Sequence, residues 1–194
     1  MIRVVVDVLM GQPGSVVVYP TDTAYALACR LGDKAALERI VSLRQLPKNH
    51  QFTITCADLS LLGTYARVDN AGYRLLKRLT PGPYTFVMKA TRDVPRRLLH
   101  PKKKTIGIRI PDHPISQSLL DHLGEPLLTT TVRMPDEDEP LANAYEINDR
   151  IGKQVAVVID AGVELTDVST VIDLTESEPR LIRQGSGEVE HVSS

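Results

Sequence analysis

Ser15-Val16-Val17-Val18-Tyr19-Pro20-Thr21-Asp22-Thr23 is the stretch on which the fold turns. Its first five residues form a short apolar, largely β-branched run that Pro20 breaks, the pattern of a buried strand. The strand delivers a polar turn, Thr21-Asp22-Thr23. In open α/β sheets ligands sit beyond strand ends, where loops converge, so this turn is a candidate for chemistry. Taken alone, Thr-Asp-Thr is more often just a turn.

Working outward, residues 2–11 read two ways. Val4-Val5-Val6 has strand propensity, but Ile2, Val5, Val6 and Leu9 fall at helical spacing, and the helix is favoured. Residues 24–29 form a second apolar run. Residues 33–42 predict a helix, with Asp33 as N-cap and Pro47 beyond its end. Strands are expected at 52–56, 84–90, 105–110, 127–132, 155–159, 170–174 and 180–183. Helices are expected at 59–65, 69–79 and 114–123. Pro81-Gly82-Pro83 stops the second of these, and the last has proline in its first turn and Gly124 beyond. In the strand at 105–110, Ile106, Ile108 and Ile110 share one face, and Thr105, Gly107 and Arg109 the other. Strands mixed with helices predict an α/β fold around a mixed parallel and antiparallel sheet. A single domain over 1–187 is expected, with a tail at 188–194.

Composition narrows the function. At 194 residues, 42% hydrophobic and 24% charged, the chain is an ordinary globular one, which excludes whole-chain disorder. No stretch approaches the ~20 apolar residues of a membrane span. The N-terminal apolar run is interrupted by Asp7 and lacks a cleavage site, so a cytoplasmic protein is expected. Cys29 and Cys56 make no zinc or redox spacing and read as buried thiols. The histidines at 50, 100, 113, 122 and 191 make no metal spacing, so no metal site is expected. No phosphate-binding glycine loop, nucleophile elbow or metalloprotease motif occurs.

Charge is unevenly spread. Arg74 to Arg109 holds eleven Lys or Arg against Asp93 alone, a charge of +10, while twelve basic and 23 acidic residues leave the remainder at −11. Such asymmetry fits a basic face for a polyanion, or lysines neutralised by folding against the acidic half. With no Trp and 4% aromatics, stacking on exposed rings is a poor route to nucleic acid. The polar residues left at strand and helix ends are Thr21-Asp22-Thr23, Arg44 with Lys48 and His50, Arg109, Thr129-Thr130-Thr131 with Arg133, Ser169-Thr170 and Arg183. Hydroxyls with arginines are what a carboxylate or phosphate needs.

Several stretches, in order along residues 15 to 187, resemble the YrdC/YciO family, the threonylcarbamoyl-AMP synthase superfamily. They are Val16 to Thr23 with Tyr25-Ala26-Leu27, Leu43-Arg44-Gln45-Leu46-Pro47, Thr80-Pro81-Gly82-Pro83-Tyr84-Thr85-Phe86, Lys104 to Pro114, Gly124 to Thr131, Ser169 to Leu174, and Ile182-Arg183-Gln184-Gly185. The resemblance implies a single-domain twisted sheet flanked by helices around a large concave basic cleft. It implies that L-threonine and bicarbonate yield a carbamate that attacks the α-phosphate of ATP, with Mg²⁺ held mainly by the nucleotide. The products would be threonylcarbamoyl-adenylate, which feeds tRNA modification, and pyrophosphate. By motif position Thr21, Thr23, His50, Thr55 and Arg109 would fall near threonine and carbamate, with Ser169 at the junction. Arg44, Thr105, Thr131, Arg133 and Arg183 would surround ATP. Arg44 and Arg109 would be the catalytic pair.

Two motifs depart from the synthases. Their K-x-R reads Arg44-Gln45-Leu46 here, and their S-x-N reads Thr131-Val132-Arg133. Losing one charge-assisted phosphate contact costs about 1.5–3 kcal/mol, ten- to a hundredfold. These departures resemble the YciO branch. Two readings follow: an adenylate-forming nucleotidyltransferase of weakened activity, or a double-stranded RNA or tRNA binder with little or no synthase activity. The second would use Arg96, Arg97, Lys102, Lys103 and Lys104 on the phosphate backbone.

Overall fold

The computed structural model describes residues 1–190. Among them the elements run α1 (Ile2–Gly11), β1 (Val17–Pro20), β2 (Tyr25–Arg30), α2 (Lys34–Arg44), β3 (Thr53–Thr55), α3 (Leu62–Tyr65), β4 (Ala66–Arg67) and α4 (Asn70–Leu79). Then follow β5 (Tyr84–Ala90), β6 (Thr105–Arg109), α5 (Pro114–Leu123), β7 (Leu127–Thr131), α6 (Ala144–Ile151), β8 (Val157–Val158), β9 (Thr170–Asp173) and β10 (Arg180–Arg183).

The helices start where side chains satisfy their free N–H groups. Asp33 accepts from Ala36 N at 2.9 Å and also from Gly14 N at 2.7 Å, tying α2 to the end of α1. Asp69 accepts from Gly72 N at 2.7 Å. The helical reading of residues 2–11 holds, with Val5 and Leu9 inward. Helix α6 was absent from the sequence-based expectations. Its signal lay in Asn143, which accepts from Glu146 N at 2.9 Å, followed by buried Ala144, Ile147 and Ile151 at helical spacing. Several strand limits also shift by a residue or two. Pro20 does not break β1 but ends it, paired with Tyr25, because an end position needs no ladder N–H. The strand expected at 155–159 shrinks to Val157–Val158, and that at 127–132 stops at Thr131.

One mixed sheet carries the elements in the order β10-β9-β5-β6-β3-β7-β2-β1-β8, with β4 added to β5. Pairs β5/β9, β3/β6 and β1/β8 are parallel and the rest antiparallel. One face holds the main core, where Leu27, Ile54, Phe86, Ile106, Ile108, Leu128 and Ile172 meet Ile40 of α2, Leu76 of α4 and Ile147 of α6. The opposite face is treated unequally. Under α1 and α5 it is apolar, with Val17, Tyr19, Ala26, Ala28 and Leu127 against Leu9, Leu119 and Leu120. Across β3, β6, β5 and β9 the register continues that face as Thr53, Thr55, Gly107, Arg109, Thr85, Val87 and Val171. Gly107 is needed there: a Cβ would lie 2.7 Å from Thr53 Oγ1. This threonine-rich half is the floor of the cleft. Of the expected tail, the Glu188 carbonyl accepts from Tyr84 OH at 3.0 Å and Val189 packs on the main core, while residues 191–194 lie outside the described residues.

Candidate functional site

The open half of the sheet forms two adjoining chambers that share Gln51, Val87 and Val171. The first, about 260 Å³, is lined by Thr21, Arg44, His50, Thr55, Arg109, Thr131, Arg133, Ser169 and Arg183. The structure thus gathers nine of the sequence-selected residues from eight places along the chain. The second, about 900 Å³, takes Thr105 and Lys103 together with His100, Lys89, Asp173 and Glu176. Thr105 therefore faces the neighbouring chamber, and its hydroxyl donates to Gln51 Oε1 at 2.9 Å.

At one end of the first chamber the β1–β2 turn reaches the end of β6. Arg109 Nη2 donates to Asp22 Oδ1 and, at 2.7 Å, to Thr23 Oγ1. The pair is secluded, with side chains 12% and 10% exposed. Asp22 Oδ2 also accepts from Asp112 N at 2.9 Å, so one carboxylate joins both loops. The Thr21 hydroxyl holds the turn itself, donating to Ala24 O at 2.6 Å. Thr55 pairs with Thr129 at 2.7 Å. The Tyr19 hydroxyl and Arg109 Nε are buried without hydrogen-bond partners. Burial pushes the Tyr19 phenol up to about 12, against the opposing influence of nearby Thr55 and Arg109.

The other end is built differently. Arg44, buried at the end of α2, donates through Nη1 to Thr130 Oγ1 at 2.9 Å and Thr131 O at 2.7 Å, and its Nε has no partner. Arg133 donates to Asp138 O at 3.3 Å. Arg183 donates to Ser169 O at 2.8 Å and Ser169 Oγ at 3.1 Å, and Ser169 Oγ lies 2.8 Å from Thr85 Oγ1. Every one of these acceptors is neutral. Among the described residues Arg44, Arg133 and Arg183 have no carboxylate within ion-pair distance. Burial and nearby Arg133 lower the Arg44 pKa to about 10, and burial with Arg109 and Arg133 lowers that of Arg183. His50 Nε2 lies 3.2 Å from Thr130 Oγ1, and burial, then Arg44 and Arg133, depress its pKa to about 4. Neutral at physiological pH, His50 adds a hydrogen-bonding group and no charge. Clustered guanidiniums whose hydrogen-bond partners are neutral have the chemistry to take up an anion.

Leu46, in place of a cation, packs against the main core and lines neither chamber, while Arg133 lines the first. Arg96 and Arg97 also line neither chamber, and Arg97 donates to Gly32 O at 3.2 Å. Lys102 and Lys104 are exposed. Sequence reasoning set Asp22, Thr129 and Thr130 among the polar residues at strand ends without giving them a role, and it missed Tyr19, Gln51 and Thr85 as site residues. Strand order across distant segments brings these three to the chamber, and nothing local marked them. Among the described residues no three or more His, Cys, Asp or Glu side chains gather as a metal centre requires.

The fold is a mixed sheet flanked by helices, and its open face carries a hydroxyl-lined cleft with four arginines. Residues 10–185 match the family described as telomere recombination, Sua5/YciO/YrdC. The YciO protein of Escherichia coli (strain K12) is 51% identical over 178 residues, 92% of this chain and 86% of that one. Its crystal structure superposes with a TM-score of 0.92 at 48% identity, over 98% of this chain and 92% of that chain. The threonylcarbamoyl-AMP synthase of Vibrio vulnificus (strain YJ016) is 29% identical, over 90% of this chain and 94% of that one. Pyrococcus abyssi Sua5 complexed with L-threonine superposes with a TM-score of 0.85 at 28% identity, over 95% of this chain and 54% of that longer chain. The chain belongs to the Sua5/YciO/YrdC family, and its likeness to YciO exceeds its likeness to these synthases.

Proposed function

We propose that the protein is an adenylate-forming nucleotidyltransferase that activates an amino-acid carbamate, with L-threonine as the amino acid. The observation that carries this reading is the convergence of Arg44, Arg133 and Arg183 on one chamber with only neutral acceptors. Three guanidiniums without an ion-pair partner, in a chamber whose lining includes Asp138, suit a polyphosphate, and a secluded Arg109 suits one carboxylate. In the reaction, bicarbonate and the substrate amine condense to a carbamate with loss of water. A carbamate oxygen then bonds to the α-phosphorus of ATP as the bond to the bridging oxygen of pyrophosphate breaks. Charge accumulates on the phosphoryl oxygens, and fixed arginines stabilise it without a covalent enzyme intermediate. Mg²⁺ enters as the nucleotide's counter-ion.

The family relation to threonylcarbamoyl-AMP synthases supports the substrate assignment. The test is pyrophosphate release by the purified protein with ATP and Mg²⁺, with and without threonine plus bicarbonate. Release that requires both is expected; release indifferent to threonine contradicts the reading.

A second reading rests on one observation. The connection between β5 and β6 carries Arg96, Arg97 and exposed Lys102, Lys103 and Lys104, so it presents a cationic edge beside the second chamber. RNA held by its phosphates would show affinity that falls steeply with salt. Salt-insensitive binding, or none, contradicts it.

A further inference from the structure

The two ends of the first chamber differ in charge compensation: Asp22, standing behind Arg109 and outside the chamber lining, pairs with it, whereas Asp138, on the lining, forms no ion pair with the chamber arginines. Asp22 is the carboxylate paired with one of the four chamber arginines, Arg109, and its side chain is nine-tenths buried. It is also fixed: one oxygen takes Arg109 and the other takes the Asp112 N–H. The turn that carries it is held by Ser116 Oγ, which donates to Pro20 O at 2.7 Å. Asp22 therefore cannot swing away when a ligand arrives without leaving Arg109 and an amide unpaired, which is costly in a buried place.

We infer that Asp22 is a specificity-determining residue: it repels phosphate from the Arg109 end and reserves that end for a ligand of low net charge. A fixed carboxylate beside a guanidinium still permits an oriented hydrogen bond to one carboxylate. It also welcomes the amine of a zwitterion, but disfavours a multiply charged phosphate by like-charge repulsion. The polyphosphate is thereby confined to Arg44, Arg133 and Arg183. This inference deepens the proposed function and rests on it for the identity of the amino acid, but the charge selection itself needs no turnover.

The test uses the full chain and inorganic pyrophosphate with Mg²⁺ as the probe, by titration calorimetry. Asp22→Asn frees the charge of Arg109, and pyrophosphate affinity should rise about tenfold, the scale of one charge-assisted contact. Asp22→Glu keeps the charge and should stay within about twofold of the parent, as expected if charge and not shape decides. Unchanged or weaker binding by Asp22→Asn overturns the inference. Should that variant misfold, the double variant Asp22→Asn with Arg109→Gln removes both charges together. It should bind pyrophosphate as the parent does, and a large loss would make Arg109 itself a phosphate ligand and overturn the inference. Failure of threonine-dependent turnover in the parent protein overturns the proposed function and leaves these titrations unaffected.

Discussion

The two ends of the first chamber hold the same side chain in opposite ways. Arg109 sits against a buried carboxylate and a threonine hydroxyl, so its charge is balanced and its position fixed. Arg44, also secluded, leans on the Thr130 hydroxyl and the Thr131 carbonyl, neutral groups that orient it without balancing its charge. On the proposed reading the unbalanced arginines take the polyphosphate, while the balanced and fixed Arg109 takes a single carboxylate. Loss of Arg109 should then cost stability as well as binding, and loss of Arg44 binding alone.

The largest effect is expected where balance is broken. Arg109→Ala leaves Asp22 buried and unpaired, so stability should fall by about 3–5 kcal/mol in denaturant titration. Adding Asp22→Asn should recover most of it. A variant as stable as the parent would mean that the pair is not secluded in solution.

Next is a pH effect at His50. Its folded pKa of about 4 lies below the ordinary 6.5, so the unfolded chain binds more protons between those values. The corresponding stability is fully present above pH 6.5 and is lost as the pH falls through about 4, on the order of 2–3 kcal/mol across that window. His50→Gln should flatten this part of the stability profile. An unchanged slope would assign it to the carboxylates instead.

Smaller in energy is Arg44→Met. Replacing an uncompensated buried charge by an apolar chain of similar length should leave the unfolding midpoint level or higher, while Mg·ATP affinity falls about tenfold. A marked loss of stability would place Arg44 with Arg109 and erase the contrast. The smallest effect belongs to Lys102→Gln with Lys103→Gln and Lys104→Gln. The unfolding midpoint should hold, and any RNA affinity should lose about one unit of salt slope for each phosphate contact removed.

Much of this architecture was legible in the chain. The alternation of Thr105, Gly107 and Arg109 against Ile106, Ile108 and Ile110 placed Arg109 on the cleft face, because strand side chains alternate whatever the neighbours. The aspartates at 33 and 69 marked helix starts, since capping is local. Helix α6 carries a local signal of the same kind, the Asn143 cap ahead of Ala144, Ile147 and Ile151, but it is only eight residues long and so shows little more than two turns of periodicity. What local reasoning could not reach was pairing across the fold. Asp22 and Arg109 are 87 positions apart, and only the order of strands brings them together. The contrast between the chamber's two ends is likewise a property of partners, and composition had credited all four arginines alike.

The most direct measurement is a crystal structure of the protein grown with Mg·ATP and L-threonine. The triphosphate should lie against Arg44, Arg133 and Arg183, with the threonine carboxylate on Arg109 and Asp22 still in place. A phosphate group on Arg109, or a nucleotide held away from Arg44, Arg133 and Arg183, would contradict the division of the cleft by charge compensation.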